Sequence, residues 1–385
     1  MGVCAPGQAR YPSAFVTAPP TPGARPAGRF AALAFVLLAL LAAVVLPGRA
    51  DAAQAPRDFF GVHPLHPVPG DYGRMADADV GMIRTGFAYQ QWKADHHRFD
   101  SIVRSAAEQG IDLLPVVVGT DSSARGATPL DSAVAKANWR AYLTALVERY
   151  GPKGDFWSTD GAGVPKMPIT DWQVWNEPNS FNNWARPDPR QYGKLLALSA
   201  KAIHAADRKA TVVSAGVISD PVNRRAEAGA SFLRKMLKSK KVAKAADVIA
   251  VHPYTAKVKK VMKNTEQARK VLDKAKLERT PIWVTEIGWG SGAGSSPLVV
   301  PAAKQKRNLG DSFRMMLKER RKLKIAKVVW YQWQDGPDPA CAWCVTAGLI
   351  RQDGAPKPLL SDFSRIAHAR RAPLQSPGAG PGSRR

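Results

Sequence analysis

Two short segments of the chain end an apolar run on a glutamate. They are Trp172-Gln173-Val174-Trp175-Asn176-Glu177-Pro178-Asn179 and Ile282-Trp283-Val284-Thr285-Glu286-Ile287-Gly288-Trp289, and their glutamates lie 109 residues apart. Each run has the length and the branched and aromatic content of a buried strand. Two carboxylates delivered from two strand ends are what cleavage of a glycosidic bond requires. One protonates the leaving oxygen, and the other attacks the sugar or activates a water.

The elements that must position these residues follow from the hydrophobic pattern. Strand-like runs fall at 59–63, 81–85, 112–118, 171–175, 211–216, 247–252, 282–286 and 327–333. Helix-period segments lie between them at 99–108, 130–150, 190–206, 228–238, 265–277 and 302–321, with a short, poorly marked helix near 72–80. Strands alternating with helices imply a parallel sheet, and eight such units predict a closed (β/α)8 TIM barrel forming one catalytic domain over 56–368. An open doubly wound sheet competes with it. That fold would carry a Gly-rich phosphate loop after the first strand, where Gly61-Val62-His63-Pro64 stands instead.

In a barrel the chemistry sits at the C-terminal strand ends. Read in order, those ends supply Arg84, Asn176 with Glu177, His252 with Tyr254, Glu286, and Trp333. Polar groups gathered there without a function would cost stability. Plainer roles remain open for several: a barrel-closing ion pair for Arg84, a satisfied imidazole for His252, and core packing for Trp333, with Trp330 competing as the aromatic platform. Trp184 and Trp289 could stack on sugars or pack, and Asn179, Asn182 and Asn183 could bind hydroxyls or shape a loop. Two Gly-rich segments, 151–168 and 288–301, read as insertions able to close a cleft.

With 385 residues, 45% of them hydrophobic, the chain can bury a large core. Arg10, Arg25 and Arg29 precede an apolar run over 30–46 and small residues at 50–53, the order of an export signal. The expectation is a signal over 1–52, cleaved after Ala52 or retained as an anchor, and an extracellular or cell-surface protein. Of three cysteines, Cys341 and Cys344 form a CxxC, half of a zinc site, so a local disulfide is expected. No His, Asp and Glu set has metal spacing, and no metal or other cofactor is expected. The net charge is +25, still +22 beyond residue 52, with lysines concentrated at 235–244, 257–276 and 318–327. These are the outer faces of amphipathic helices, or a surface drawn to an anionic cell-wall polymer or membrane. Nothing in the sequence points to nucleic acid. The Pro, Gly, Ser and Arg tail over 369–385 is expected to be disordered.

Taken together, WNEPN, HPY, TEIGWG and the late WYQW resemble the retaining β-glycosidases of clan A glycoside hydrolases, families 39 and 5, over about 59–367. The resemblance implies Glu177 as general acid/base and Glu286 as nucleophile. It implies Asn176 on the sugar 2-hydroxyl, and His252 and Tyr254 as a pair with Tyr254 on the nucleophile. Arg84 would keep the nucleophile ionised, and Trp333 would lie beneath the sugar. Many family 5 members place a His after the third strand, where this chain has Gly119-Thr120. The substrate would be an oligo- or polysaccharide, with water or a sugar as acceptor. A non-catalytic carbohydrate- or wall-binding barrel is the reading from another class.

Overall fold

The computed structural model describes residues 54–65, 67–120, 127–220, 226–338 and 341–369. The described residues all belong to one compact unit, within Ala52–Arg385. The expected export signal and the tail beyond Ala369 lie outside the described residues. Among the described residues no helix is long and apolar enough to cross a membrane.

The strands are β1 (Phe60–His63), β2 (Met82–Ala88), β3 (Asp112–Val118), β4 (Asp171–Val174), β5 (Thr211–Val213), β6 (Val217–Ile218), β7 (Ile249–His252), β8 (Ile282–Ile287), β9 (Gly290–Ser291), β10 (Val299–Val300) and β11 (Ile325–Tyr331). Nine of them form one sheet in the order β5-β4-β3-β2-β1-β11-β8-β7-β6, while β9 and β10 pair separately. Every pairing in the large sheet is parallel. The two ends of that order, β5 and β6, are halves of a single fifth strand broken at 214–216. Val213 bridges Val248 in parallel, and the Ser214 amide donates to the Val248 carbonyl. The ring therefore closes on itself, and the fold is the expected (β/α)8 barrel.

Helices cover the outside. Ala133–Tyr150 begins where the Ser132 hydroxyl accepts from the Ala135 amide, and Pro189–Ala206 where Asp188 accepts from the Arg190 and Gln191 amides. Val258–Lys274 starts two turns earlier than its sequence suggests, because lysines dilute its first turn while Val261, Met262, Thr265, Ala268 and Leu272 are buried at helical spacing. The eighth crossover, left without a helix by the hydrophobic pattern, is Pro358–Ala369, which buries Leu359, Phe363, Ile366 and Ala367. Segment 151–168 leaves and rejoins the barrel at the N-terminal end of β4, where the Ile169 amide donates to the Tyr150 carbonyl. It lies at the opposite strand end from Glu177 and closes no cleft.

Inside the ring, residues two apart along each strand face the axis. The middle layer is apolar, with Met82, Leu114, Val213, Val248, Ala250, Trp283 and Val329 packed together. The floor is ionic. The Lys327 ammonium pairs with Asp58, lies 3.3 Å from Asp171 and sits over the Trp283 ring at 4.7 Å. Burial pulls this ammonium down, but the Asp171 and Asp58 carboxylates outweigh it and raise it. Asp112, also at the floor, is pushed up mainly by burial. Removing one partner of a buried ionic set leaves the rest uncompensated, at a cost of about 3–5 kcal/mol. Lys327→Met should lose about that much stability in urea unfolding; a loss below about 1 kcal/mol would show that the floor is not held this way.

Candidate active site

The same inward parity carries polar residues above the apolar layer. Arg84 lies one step above Met82 on β2, Gln173 above Asp171 on β4, and His252 above Ala250 on β7. Strand β2 continues to Ala88, past the end expected from sequence, so Arg84 sits inside the barrel rather than at its rim. On β8 the register slips: Val328 pairs with Val284, but Trp330 pairs with Ile287. That bulge adds one residue and turns both Thr285 and Glu286 inward, where strict alternation would allow only one.

Arg84 is 1% exposed and meets four acceptors. Its Nη1 donates to Glu286 Oε1 at 2.6 Å and lies 2.9 Å from His63 Nδ1. Its Nε donates to Gln173 Oε1 at 2.6 Å, and its Nη2 to Asn176 Oδ1 at 2.8 Å. The other Glu286 oxygen accepts from the half-buried Tyr254 hydroxyl at 2.8 Å. Glu177 Oε1 lies 2.8 Å from His252 Nδ1, and its Oε2 accepts from Asn183 Nδ2 at 3.2 Å. His252 Nδ1 is also 3.4 Å from Glu286 Oε2, so one buried ring joins both carboxylates.

A proton chain follows from the donor inventory. Arg84 donating to Gln173 Oε1 leaves Gln173 Nε2 to donate to the Ser214 carbonyl and to Thr285 Oγ1, at 3.1 and 3.2 Å. Thr285 is then free to donate to His252 Nε2 at 3.0 Å. By this assignment the His252 proton sits on Nδ1, facing Glu177. Burial pushes the Glu177 carboxyl above the usual carboxylate range; the nearby Glu286 charge adds to this, and His252 opposes it. Burial works on Glu286 in the same direction, but the His252 ring and the Arg84 guanidinium hold it down at about 2. His63 stays neutral, lowered to about 3 by burial and by Arg84.

The loop that presents Glu177 is fixed from several sides. Trp175 and Glu177 adopt left-handed backbone, with φ of 72° and 42°. Such residues persist where surrounding contacts over-determine them. The Trp175 amide donates to Val117, its indole to the Asn183 carbonyl, and the Glu177 amide to the Gly216 carbonyl. Asn179 is wholly buried and binds the backbone of Ile218 and Glu227, so its role is to hold this loop to the fifth strand.

The structure brings Glu177, Glu286, Arg84, Asn176, His252 and Tyr254 together. Arg84 and His252, at 1% and 0% exposed, lie beneath the carboxylates and support them rather than binding substrate themselves. Trp333 is 1% exposed, one step past β11 in the core, and cannot be a platform. Inward parity along β11 runs Lys327, Val329, Tyr331, so the aromatic at this strand end is Tyr331, its ring 5.1 Å from His63. Trp330 faces outward against Phe313. Trp289 is fully buried, with its indole bonded to the Thr255 carbonyl, and Trp184 packs edge-on to Trp175; neither is open to a sugar. Sequence reading missed His63, Gln173, Thr285 and Tyr331, all of which strand parity would have placed inward. Cys341 and Cys344 form the expected disulfide, Cα atoms 5.3 Å apart.

Among the described residues, three clusters bring possible metal-ligand atoms within 4.8 Å of one another: Glu177–His252–Glu286, His97–Asp100–Asp160 and Asp338–Cys341–Cys344. Arg84 already serves the first, and Arg149 donates to both carboxylates of the second. The sulfurs of the third are in the disulfide.

The break in the fifth strand contains a glycine whose side-chain space is taken by His252. A Cβ on Gly216 would lie 2.0 Å from His252 Nε2. Gly216→Ala should displace the ring and, with it, Glu177, lowering kcat by about a hundredfold while costing about 1–3 kcal/mol of stability, too little to unfold the barrel. Steady-state kinetics with a melting curve checks this; unchanged kcat would mean that the ring position is immaterial.

The sequence model of the family described as glycosyl hydrolase catalytic core matches residues 168–363, just over half of the chain. No curated protein matches the chain in sequence. Among solved structures it is similar to a family 39 glycoside hydrolase from the gut symbiont Bacteroides cellulosilyticus WH2, with 20% identity and a TM-score of 0.58, covering 81% of this chain and 64% of that one. It is also similar to a glucosidase from Croceicoccus marinus, at 16% identity and a TM-score of 0.63 over 83% of this chain and 69% of that one. A GH5_18 from Bifidobacterium longum subsp. infantis gives 16% identity and a TM-score of 0.59, over 83% and 80%. The chain thus spans just under two thirds of the family 39 structure's length, and at these identities the likeness is one of fold. The family match covers β4 through β11, including both glutamates, and the chain belongs to the glycosyl hydrolase catalytic core family.

Proposed function

We propose that this chain is a retaining β-glycosidase, with Glu177 as acid/base and Glu286 as nucleophile, acting on an oligo- or polysaccharide. The observation that carries the reading is a pair of carboxylates, Glu177 half-buried and Glu286 buried, whose oxygens lie within 4.8 Å across His252 and which their surroundings push in opposite directions. Retaining enzymes hold their carboxyl groups about 5–5.5 Å apart and inverting enzymes about 6.5–9.5 Å apart. Glu286, ionised and held by Arg84 and Tyr254, attacks the anomeric carbon while the glycosidic bond breaks. Glu177 gives its proton to the departing oxygen. Once Glu286 is esterified its charge is gone, so Glu177 becomes more acidic and takes a proton from the incoming water. Asn176, its Oδ1 fixed by Arg84, turns its amide NH2 away toward the 2-hydroxyl.

An exported or cell-surface setting is part of the proposal and rests on the order of residues 1–52. The helices Gly229–Met236, Val258–Lys274 and Ala302–Leu323 carry exposed lysines and arginines, which would draw the barrel to an anionic wall polymer or membrane. Transfer to a sugar acceptor by the same residues is separated from hydrolysis by the ratio of the two products.

Glu286→Gln should abolish turnover of an activated aryl β-glycoside. Glu177→Gln should lower it by about 10²–10⁴-fold, with partial rescue by azide. The first product seen by NMR should keep the substrate's anomeric configuration, and the opposite anomer would rule out double displacement. The kcat/KM profile should fall in acid as Glu286 takes up a proton and in alkali as Glu177 loses one. An alkaline limb that survives in Glu177→Gln would assign that proton elsewhere.

A further inference from the structure

We infer that Trp343 forms the aromatic wall of the sugar subsite on the Glu286 side of the cleft, against the glycone. The inference rests on the reading of Glu286 as the nucleophile. The tryptophans of the site motifs offer no open face: Trp175 is 7% exposed, Trp289 and Trp330 0%, and Trp333 1%. Trp343 is half-buried. Its ring stands edge-on to Tyr254, with centroids 5.0 Å apart and planes at 66°, and lies 6.0 Å from Tyr331. Tyr254 is the residue that donates to Glu286 Oε2. A Cβ on Gly288 would lie 3.6 Å from Trp343 Cζ3, so the indole overlies the backbone leaving the nucleophile.

The indole is also held in place. Cys341 and Cys344 close a four-residue loop around it. The Cys344 carbonyl accepts from Gln332 Nε2 at 2.8 Å, and the preceding turn is tied by Tyr331 donating to Asp338 Oδ2 at 3.0 Å. A Cβ on Gly290 would lie 2.3 Å from the Trp343 carbonyl oxygen, so this glycine admits the loop against the chain leaving β8. A pre-ordered aromatic ring offers area to the C–H face of a sugar at little entropic cost. Its side of the cleft names the ring it meets. The nucleophile bonds the glycone, whereas Asn183 and Trp175 flank Glu177, where the leaving group departs.

The test measures glycan binding and turnover in parallel. A glycan panel is screened by calorimetry against the wild type, Trp343→Ala and Trp343→Phe, with melting curves, and kcat/KM is measured on aryl β-glycosides of differing leaving group. Trp343→Ala should weaken glycan binding and lower kcat/KM about tenfold, equally for every leaving group, while Trp343→Phe keeps most of both. Unchanged binding and turnover in a folded Trp343→Ala overturns the inference and leaves the glycosidase reading intact. A loss that varies with the leaving group overturns the glycone assignment, and so does a panel on which no glycan binds. Wild-type turnover retained in Glu286→Gln sinks the nucleophile reading instead, whatever Trp343 does.

Discussion

A guanidinium sealed inside the barrel governs the rest of the site. Desolvating such a charge costs several kcal/mol, and the cost is recovered only if each donor finds an acceptor. Arg84 finds them on His63 at the end of β1, Gln173 on β4, Asn176 beyond it, and Glu286 on β8. Because guanidinium is planar and its donors form a rigid fork, these acceptors must share its geometry. Closing the barrel and orienting the carboxylate are thus one event. A lysine could supply the charge but not the plane.

Burial alone would push both glutamates above the usual carboxylate range. What separates them is where positive charge lies. Glu286 takes the Arg84 guanidinium directly, while Glu177 has only His252 and an amide. The difference depends on the bulge in β8, which places Thr285 under His252 and Glu286 beside Arg84 in consecutive positions. Without that extra residue one of the two would face the helices, and either the His252 ring or the Glu286 carboxylate would lose its support. The local departure from regular sheet therefore has an electrostatic result.

Much of this was legible in the sequence because strand ends in a barrel share one face. The alternation of elements gave the architecture, and the glutamate-ended runs supplied both carboxylates. Arg84, Asn176, His252 and Tyr254 followed from position alone. The aromatic assignments failed for a different reason. Trp289 and Trp333 sit in the right segments, but whether a side chain faces the axis depends on parity within the strand and on its last paired residue. Trp333 lies past the end of β11, and Tyr331 holds the inward position. The fifth strand reads as continuous because Ser214, Ala215 and Gly216 continue an apolar run. At Gly216 the space of a side chain is taken by the His252 ring, a contact between strands that no local pattern carries.

The pairing of β1 with β11 also has a consequence for how this molecule is made. His63 and Tyr331 are neighbours across that seam, so the first and last strands of the barrel meet beside Arg84. The ring cannot close until β11 has been synthesised, and closure depends on contacts of very long sequence separation, which form slowly. Until then Arg84, Glu286 and the floor lysine have no common interior to occupy. Activity and completion of the fold should accordingly arise together, late, with no partly built ancestor of the site along the way.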